Sequence, residues 1–61
     1  MKVSEVIKRL EAAGWYLARV KGSHRQFKHI TNPNVVTVPG KLSEDIPAGT
    51  LNNILKRAGL K

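Results

Sequence analysis

Cysteine is absent from this sequence, so neither a disulfide staple nor a thiolate-held metal can organise it. Acidic residues are scarce: there are four, against eleven lysines and arginines, which leaves a formal net charge of +7. No apolar run approaches the ~20 residues that cross a bilayer, and the N-terminal stretch lacks the apolar core of a secretory signal. A cytoplasmic location is the expectation that follows. Length is short as well. A chain of 61 residues suits one domain, spanning 1–61. At this size about 60% of the unfolded chain's surface is buried on folding, which leaves room for one small core and a surface site rather than an enclosed cavity.

What the sequence does have is positive charge, unevenly placed. Between Ala12 and Ser43 there is no acidic residue, while Arg19, Lys21, Arg25, Lys28 and Lys41 all fall in that interval. A surface that is merely solvated usually mixes its signs. A one-sign stretch raises the local potential and attracts polyanions. Nucleic acid is favoured over a membrane as partner, because no segment joins a cationic face to a broad apolar one.

The first segment has helical spacing: Val3, Val6, Ile7, Leu10 and Ala13 recur on one face, Ser4 suits the N-cap, and Gly14 suits the stop. From Trp15 to Ile30 the period changes to two. Gly22-Ser23 is a pair favoured in two-residue hairpin loops. Centred there, an unbroken ladder pairs Lys21 with His24, Val20 with Arg25, Arg19 with Gln26, Ala18 with Phe27 and Leu17 with Lys28. Side chains alternate, so one face carries Arg19, Lys21, His24, Gln26 and Lys28, and the other Tyr16, Ala18, Val20 and Phe27, with Arg25 beside the turn. Trp15 and Leu17 then fall on the polar side near the open end. A slip of one residue would scramble this division.

Asn32-Pro33-Asn34 marks a turn, Val35–Val38 a third strand, and Pro39-Gly40 its end. Pro47 suits the first turn of a second helix whose apolar stripe is Leu51, Ile54, Leu55 and Ala58. The expected fold is α+β: a helix, a three-stranded antiparallel sheet and a helix, with both helices on the face bearing Phe27. The other sheet face, with His24 among cations, is the candidate site.

Little catalytic chemistry is open to such a face. Two carboxylates in the first helix and the adjacent pair Glu44-Asp45 make neither a metal cluster nor a glycosidase pair, and no metal or other cofactor is expected. Ser23 and His24 are neighbours on a strand and point apart, so they make no dyad. One reaction fits a lone histidine among cations. RNA brings its own nucleophile, the 2′-hydroxyl, and histidine can move protons near neutral pH. Cations stabilise the charge that develops on the phosphate. Gly22 lets the backbone approach a phosphate, and the Ser23 hydroxyl can donate to one. The expected RNA contacts are Arg19, Lys21, Gly22, Ser23, Arg25, Gln26, Lys28 and Lys41. On residue types alone, an RNA-binding module without catalysis on the same face is better supported than cleavage, and a subunit that only meets an acidic protein is a third reading. His29 falls on the helix side and is read as structural; Trp15 stays open between base stacking and the core.

The run Gly22-Ser23-His24-Arg25-Gln26-Phe27, with Gly14-Trp15 one strand earlier, resembles the HicA toxins of bacterial toxin–antitoxin modules. The tail Gly49-Thr50-Leu51, then Ile54-Leu55 and Ala58-Gly59, is similar to that family's closing helix. The likeness covers nearly the whole chain. It implies a fold like a double-stranded-RNA-binding domain, ribosome-independent cleavage of mRNA with His24 as the catalytic residue, and a HicB-type antitoxin that binds the toxin and blocks its site. Many members carry a histidine shortly after the third strand. Here that region is Pro39-Gly40-Lys41, which leaves Lys41 as the charge available there.

Overall fold

The computed structural model describes residues 1–61. Helix α1 (Val3–Ala12) is followed by strands β1 (Trp15–Lys21), β2 (His24–His29) and β3 (Val36–Val38), then helix α2 (Ala48–Arg57). The strands form one antiparallel sheet in the order β1-β2-β3. This is the α+β arrangement expected from the sequence.

All ten buried residues are apolar and form one cluster. Helix α1 supplies Val3, Val6 and Leu10, and α2 supplies Ile54 and Ala58, with Ile46 from the preceding loop. The sheet supplies Trp15, Phe27, Val36 and Val38. Phe27 pairs with Val36, and Val38 pairs with Arg25, so these residues share one sheet face, and both helices roof it. Phe27 is only 1% exposed; burying such a side chain is worth ~1.5–3 kcal/mol.

The β1–β2 ladder differs from the unbroken one. Lys21 with His24, Val20 with Arg25 and Arg19 with Gln26 pair as expected. Beyond them the register shifts: Leu17 faces Phe27, Tyr16 faces Lys28 and Trp15 faces His29, with Ala18 the extra residue of a β-bulge. The expected pairs of Ala18 with Phe27 and Leu17 with Lys28 are therefore wrong. So is half of the expected inner face, Tyr16 and Ala18. Trp15 moves under the helices, at 3% exposed, and Tyr16 moves to the open side, at 53%. Ala18 is exposed, and Val20, although on Phe27's side, is 54% exposed at the turn end of an edge strand. The physical reason is ring size. Indole is the largest apolar body in the chain, and burying it outweighs leaving one ladder residue unpaired.

Helix α1 starts before Ser4, which is not its N-cap; Lys2 occupies that position. The first free amides of the helix are met from the loop before α2. Val3 N–H donates to the Glu44 carbonyl at 2.9 Å and Ser4 N–H to the Leu42 carbonyl at 3.2 Å. Lys2 N–H donates to Glu5 Oε1 at 3.1 Å, and Ile46 N–H to the Met1 carbonyl at 3.0 Å. The bonds of Val3, Ser4 and Ile46 tie the start of the first helix to the loop that leads into the last one. Pro47 likewise stands one place outside, as the N-cap of α2.

Candidate nucleic-acid interface

The site is built from the β1–β2 hairpin. Gly22 has φ of +59°, and no residue other than glycine has positive φ, so Ser23 is on the negative side. That sign pattern fits a type II′ turn, with glycine first, and excludes type I′. The turn fixes Lys21 opposite His24, and alternation carries the rest. His24, Gln26 and Lys28 of β2, their partners Lys21, Arg19 and Tyr16 of β1, and Thr37 of β3 lie on the face turned away from the helices. His24, Arg19, Lys21, Lys28, Tyr16 and Thr37 are exposed, and Gln26 is half-buried between its neighbours. The four carboxylates lie elsewhere: Glu5 and Glu11 in α1, Glu44 and Asp45 in the loop before α2. No strand residue of this face is acidic, and its lysines and arginine attract polyanions.

The remaining residues expected at the site have other positions. Gly22 and Ser23 form the exposed turn at the end of the hairpin. Arg25 is on the core side of the sheet, half-buried, where Nη1 donates to the Gly40 carbonyl at 2.9 Å. It ties the end of β3 to β2 and does not share a face with His24. Lys41 follows Gly40, so its backbone sits at the hairpin-turn end of the sheet; its N–H donates to Glu44 Oε1 at 3.1 Å and its side chain is exposed. Tyr16 is the residue of this face that unbroken alternation assigns to the core. A bulge leaves no mark in the pattern of residue types, but the unmatched size of Trp15 was a signal for it.

His29 is held where His24 is free. Its Nδ1 accepts from Thr31 N–H at 3.1 Å, which places the ring proton on Nε2, and Nε2 donates to the Ala13 carbonyl at 3.0 Å. The ring meets Trp15 edge-on, with centroids 5.2 Å apart and planes at 60°. Gly14 permits this approach: it has φ of +95°, and a Cβ there would lie 2.7 Å from His29 Nε2. His29 therefore has the structural place expected for it.

The largest surface hollow of the molecule lies between β3 and α2, and none of the hollows is lined by His24. The histidines and carboxylates form no group of three that could hold a metal ion. What this face offers is an open surface bearing a histidine, cations, an amide and a phenol.

One sheet roofed on a single side by an N-terminal and a C-terminal helix, its other side bare and basic, is an α+β fold of the double-stranded-RNA-binding-domain type. The family model described as the HicA toxin of bacterial toxin–antitoxin systems matches residues 3–60, and the chain belongs to that family. It has the toxin's place in such a module, and a HicB-type antitoxin is the partner the family implies. No curated protein matches the chain. No helix is long and apolar enough to cross a membrane.

Proposed function

We propose that this toxin is a metal-independent endoribonuclease of mRNA, acting in the cytoplasm, with His24 as the proton-transfer group. The observation that carries the reading is the place of His24: exposed on the helix-free sheet face, opposite Lys21 and in line with Gln26 and Lys28. RNA laid across this face brings a 2′-hydroxyl beside the scissile phosphate. His24 takes the hydroxyl proton as the 2′-oxygen attacks phosphorus, or gives a proton to the departing 5′-oxygen. The products are a 2′,3′-cyclic phosphate and a free 5′-hydroxyl. Lys21 and Arg19 neutralise charge on the phosphoryl oxygens, Lys28 holds the RNA backbone further along the strand, and the Gly22-Ser23 turn contributes backbone and hydroxyl donors. Gln26 adds an amide on the same face. Arg25 and Lys41 border the end of the sheet and contribute to the field rather than to the face itself. A single imidazole serves one proton transfer at a time, so a modest rate is expected.

The HicB-type antitoxin would silence the toxin by covering this face. Membership of the toxin family supports the reading, and so does the placing of Arg19, Lys21 and Lys28 on the same sheet face as His24. The test compares the protein with its His24→Ala variant on single-stranded RNA in the presence of a chelator. Cleavage to cyclic-phosphate ends by the first and none by the second is expected. Equal cleavage by both would sink the assignment, and salt-sensitive binding by both with cleavage by neither would leave a non-catalytic RNA-binding module.

A further inference from the structure

Tyr16 takes no part in the core and none in the chemistry at His24. Its ring is on the bare face, 53% exposed, with Lys28 directly opposite and Arg19 further along the same strand. The chain has one residue each of Trp, Tyr and Phe, and Trp15 and Phe27 are buried, so Tyr16 is the one exposed aromatic side chain. It stands there only because Ala18 bulges. An unbroken ladder from the Gly22-Ser23 turn would turn Tyr16 inward, and bulges that re-aim a side chain recur beside functional sites.

We propose that Tyr16 is a nucleobase-stacking subsite, an inference that rests on the RNA reading of this face. Single-stranded nucleic acid is held by cations that follow the backbone and aromatic rings that accept a base, and a phenol flanked by Lys28 and Arg19 supplies both. Geometry sets its distance from the chemistry. Tyr16 faces Lys28, four residues along β2 from His24, a span of ~13 Å at ~3.3 Å per residue. A stacked strand advances ~3.4 Å per nucleotide and an unstacked one further, so the stacked base lies about two to four nucleotides from the phosphate at His24. The subsite recognises a base by its π-face and so tolerates any sequence; it fixes the register of the strand, not its identity.

The test reads binding apart from cleavage. In the His24→Ala protein, a dye-labelled single-stranded RNA about ten nucleotides long is titrated by fluorescence anisotropy, with and without a second substitution at Tyr16. Tyr16→Ala should weaken binding about five- to tenfold and Tyr16→Phe should retain it, since stacking uses the ring and not the hydroxyl. In cleavage assays of the protein that retains His24, removing one base from the RNA at successive positions should abolish the effect of Tyr16→Ala on the cleavage rate at a single position, two to four nucleotides from the cut. Far-ultraviolet circular dichroism and thermal melting should match for all variants, because the ring is not in the core. RNA binding that is unchanged by Tyr16→Ala overturns the subsite and leaves the role of His24 standing. A Tyr16→Ala protein that loses only antitoxin affinity also overturns it, in favour of a protein contact. Length-matched RNA that no variant binds overturns both readings together. A Tyr16-dependent affinity without any cleavage retains the subsite and removes the catalytic role.

Discussion

The two histidines of this chain stand at opposite ends and on opposite faces of β2 and have opposite circumstances. His29 is bonded at both ring nitrogens and packed against Trp15; His24 is exposed at the start of β2. Substituting them should separate stability from activity. His29→Ala leaves the Ala13 carbonyl and the Thr31 amide without a side-chain partner, so about 1–3 kcal/mol of unfolding free energy should be lost. His24→Ala, at a surface position, should change stability by no more than ~0.5 kcal/mol while RNA cleavage disappears. Urea titration and a cleavage assay on the same two proteins check both halves, and comparable destabilisation by the two substitutions would refute the contrast. Two glycines extend the test. Gly22→Ala should cost only the backbone strain of a positive φ, about 1–2 kcal/mol, because nothing lies near the added methyl. Gly14→Ala adds to that strain a contact 2.7 Å from His29 Nε2, so it should lower the urea midpoint more.

At the scale of the element, alternation and turn chemistry settle most of the hairpin. Gly22-Ser23 is enough to set the three pairs nearest the turn, and those pairs carry His24, Lys21, Arg19 and Gln26 to one face. The face with the candidate chemistry was therefore legible in the sequence. The far half of β1 was not, because period-two reading assumes an unbroken ladder and a bulge inverts every assignment beyond it. The start of α1 escaped for a related reason: its amides are capped by Leu42 and Glu44, and partners so distant in the chain leave no trace in local sequence. The bulge makes a definite prediction about the single tryptophan. Its fluorescence should be blue-shifted and poorly quenched by acrylamide in the folded protein, and both properties should be lost on unfolding. Trp15→Ala should cost ~3–5 kcal/mol, enough to leave so small a domain largely unfolded, whereas Tyr16→Ala should leave its melting temperature nearly unchanged. A tryptophan as accessible to quencher folded as unfolded would restore the unbroken ladder and return Tyr16 to the core.

For the whole molecule, the decisive feature is where charge was left rather than how much of it there is. Eleven cationic residues spread over a small protein would favour any polyanion, but the sheet face carries Arg19, Lys21 and Lys28 with no acidic side chain among them. Helix α1, by contrast, mixes Lys8 and Arg9 with Glu5 and Glu11. Counterion release then distinguishes a face that meets phosphate from a surface that is only basic. Each cation in contact with a single-stranded backbone steepens the fall of log K with log salt by about 0.7. Lys21→Gln and Lys28→Gln should each flatten that slope by about this amount in the His24→Ala background, and together by about twice it. Lys8→Gln removes the same charge from the same small molecule, yet lies on the helix side of the fold and should leave the slope as it was. Three equal changes in slope would mean that RNA responds to the total charge of the protein, and the sheet would then have no claim to be the surface that holds it.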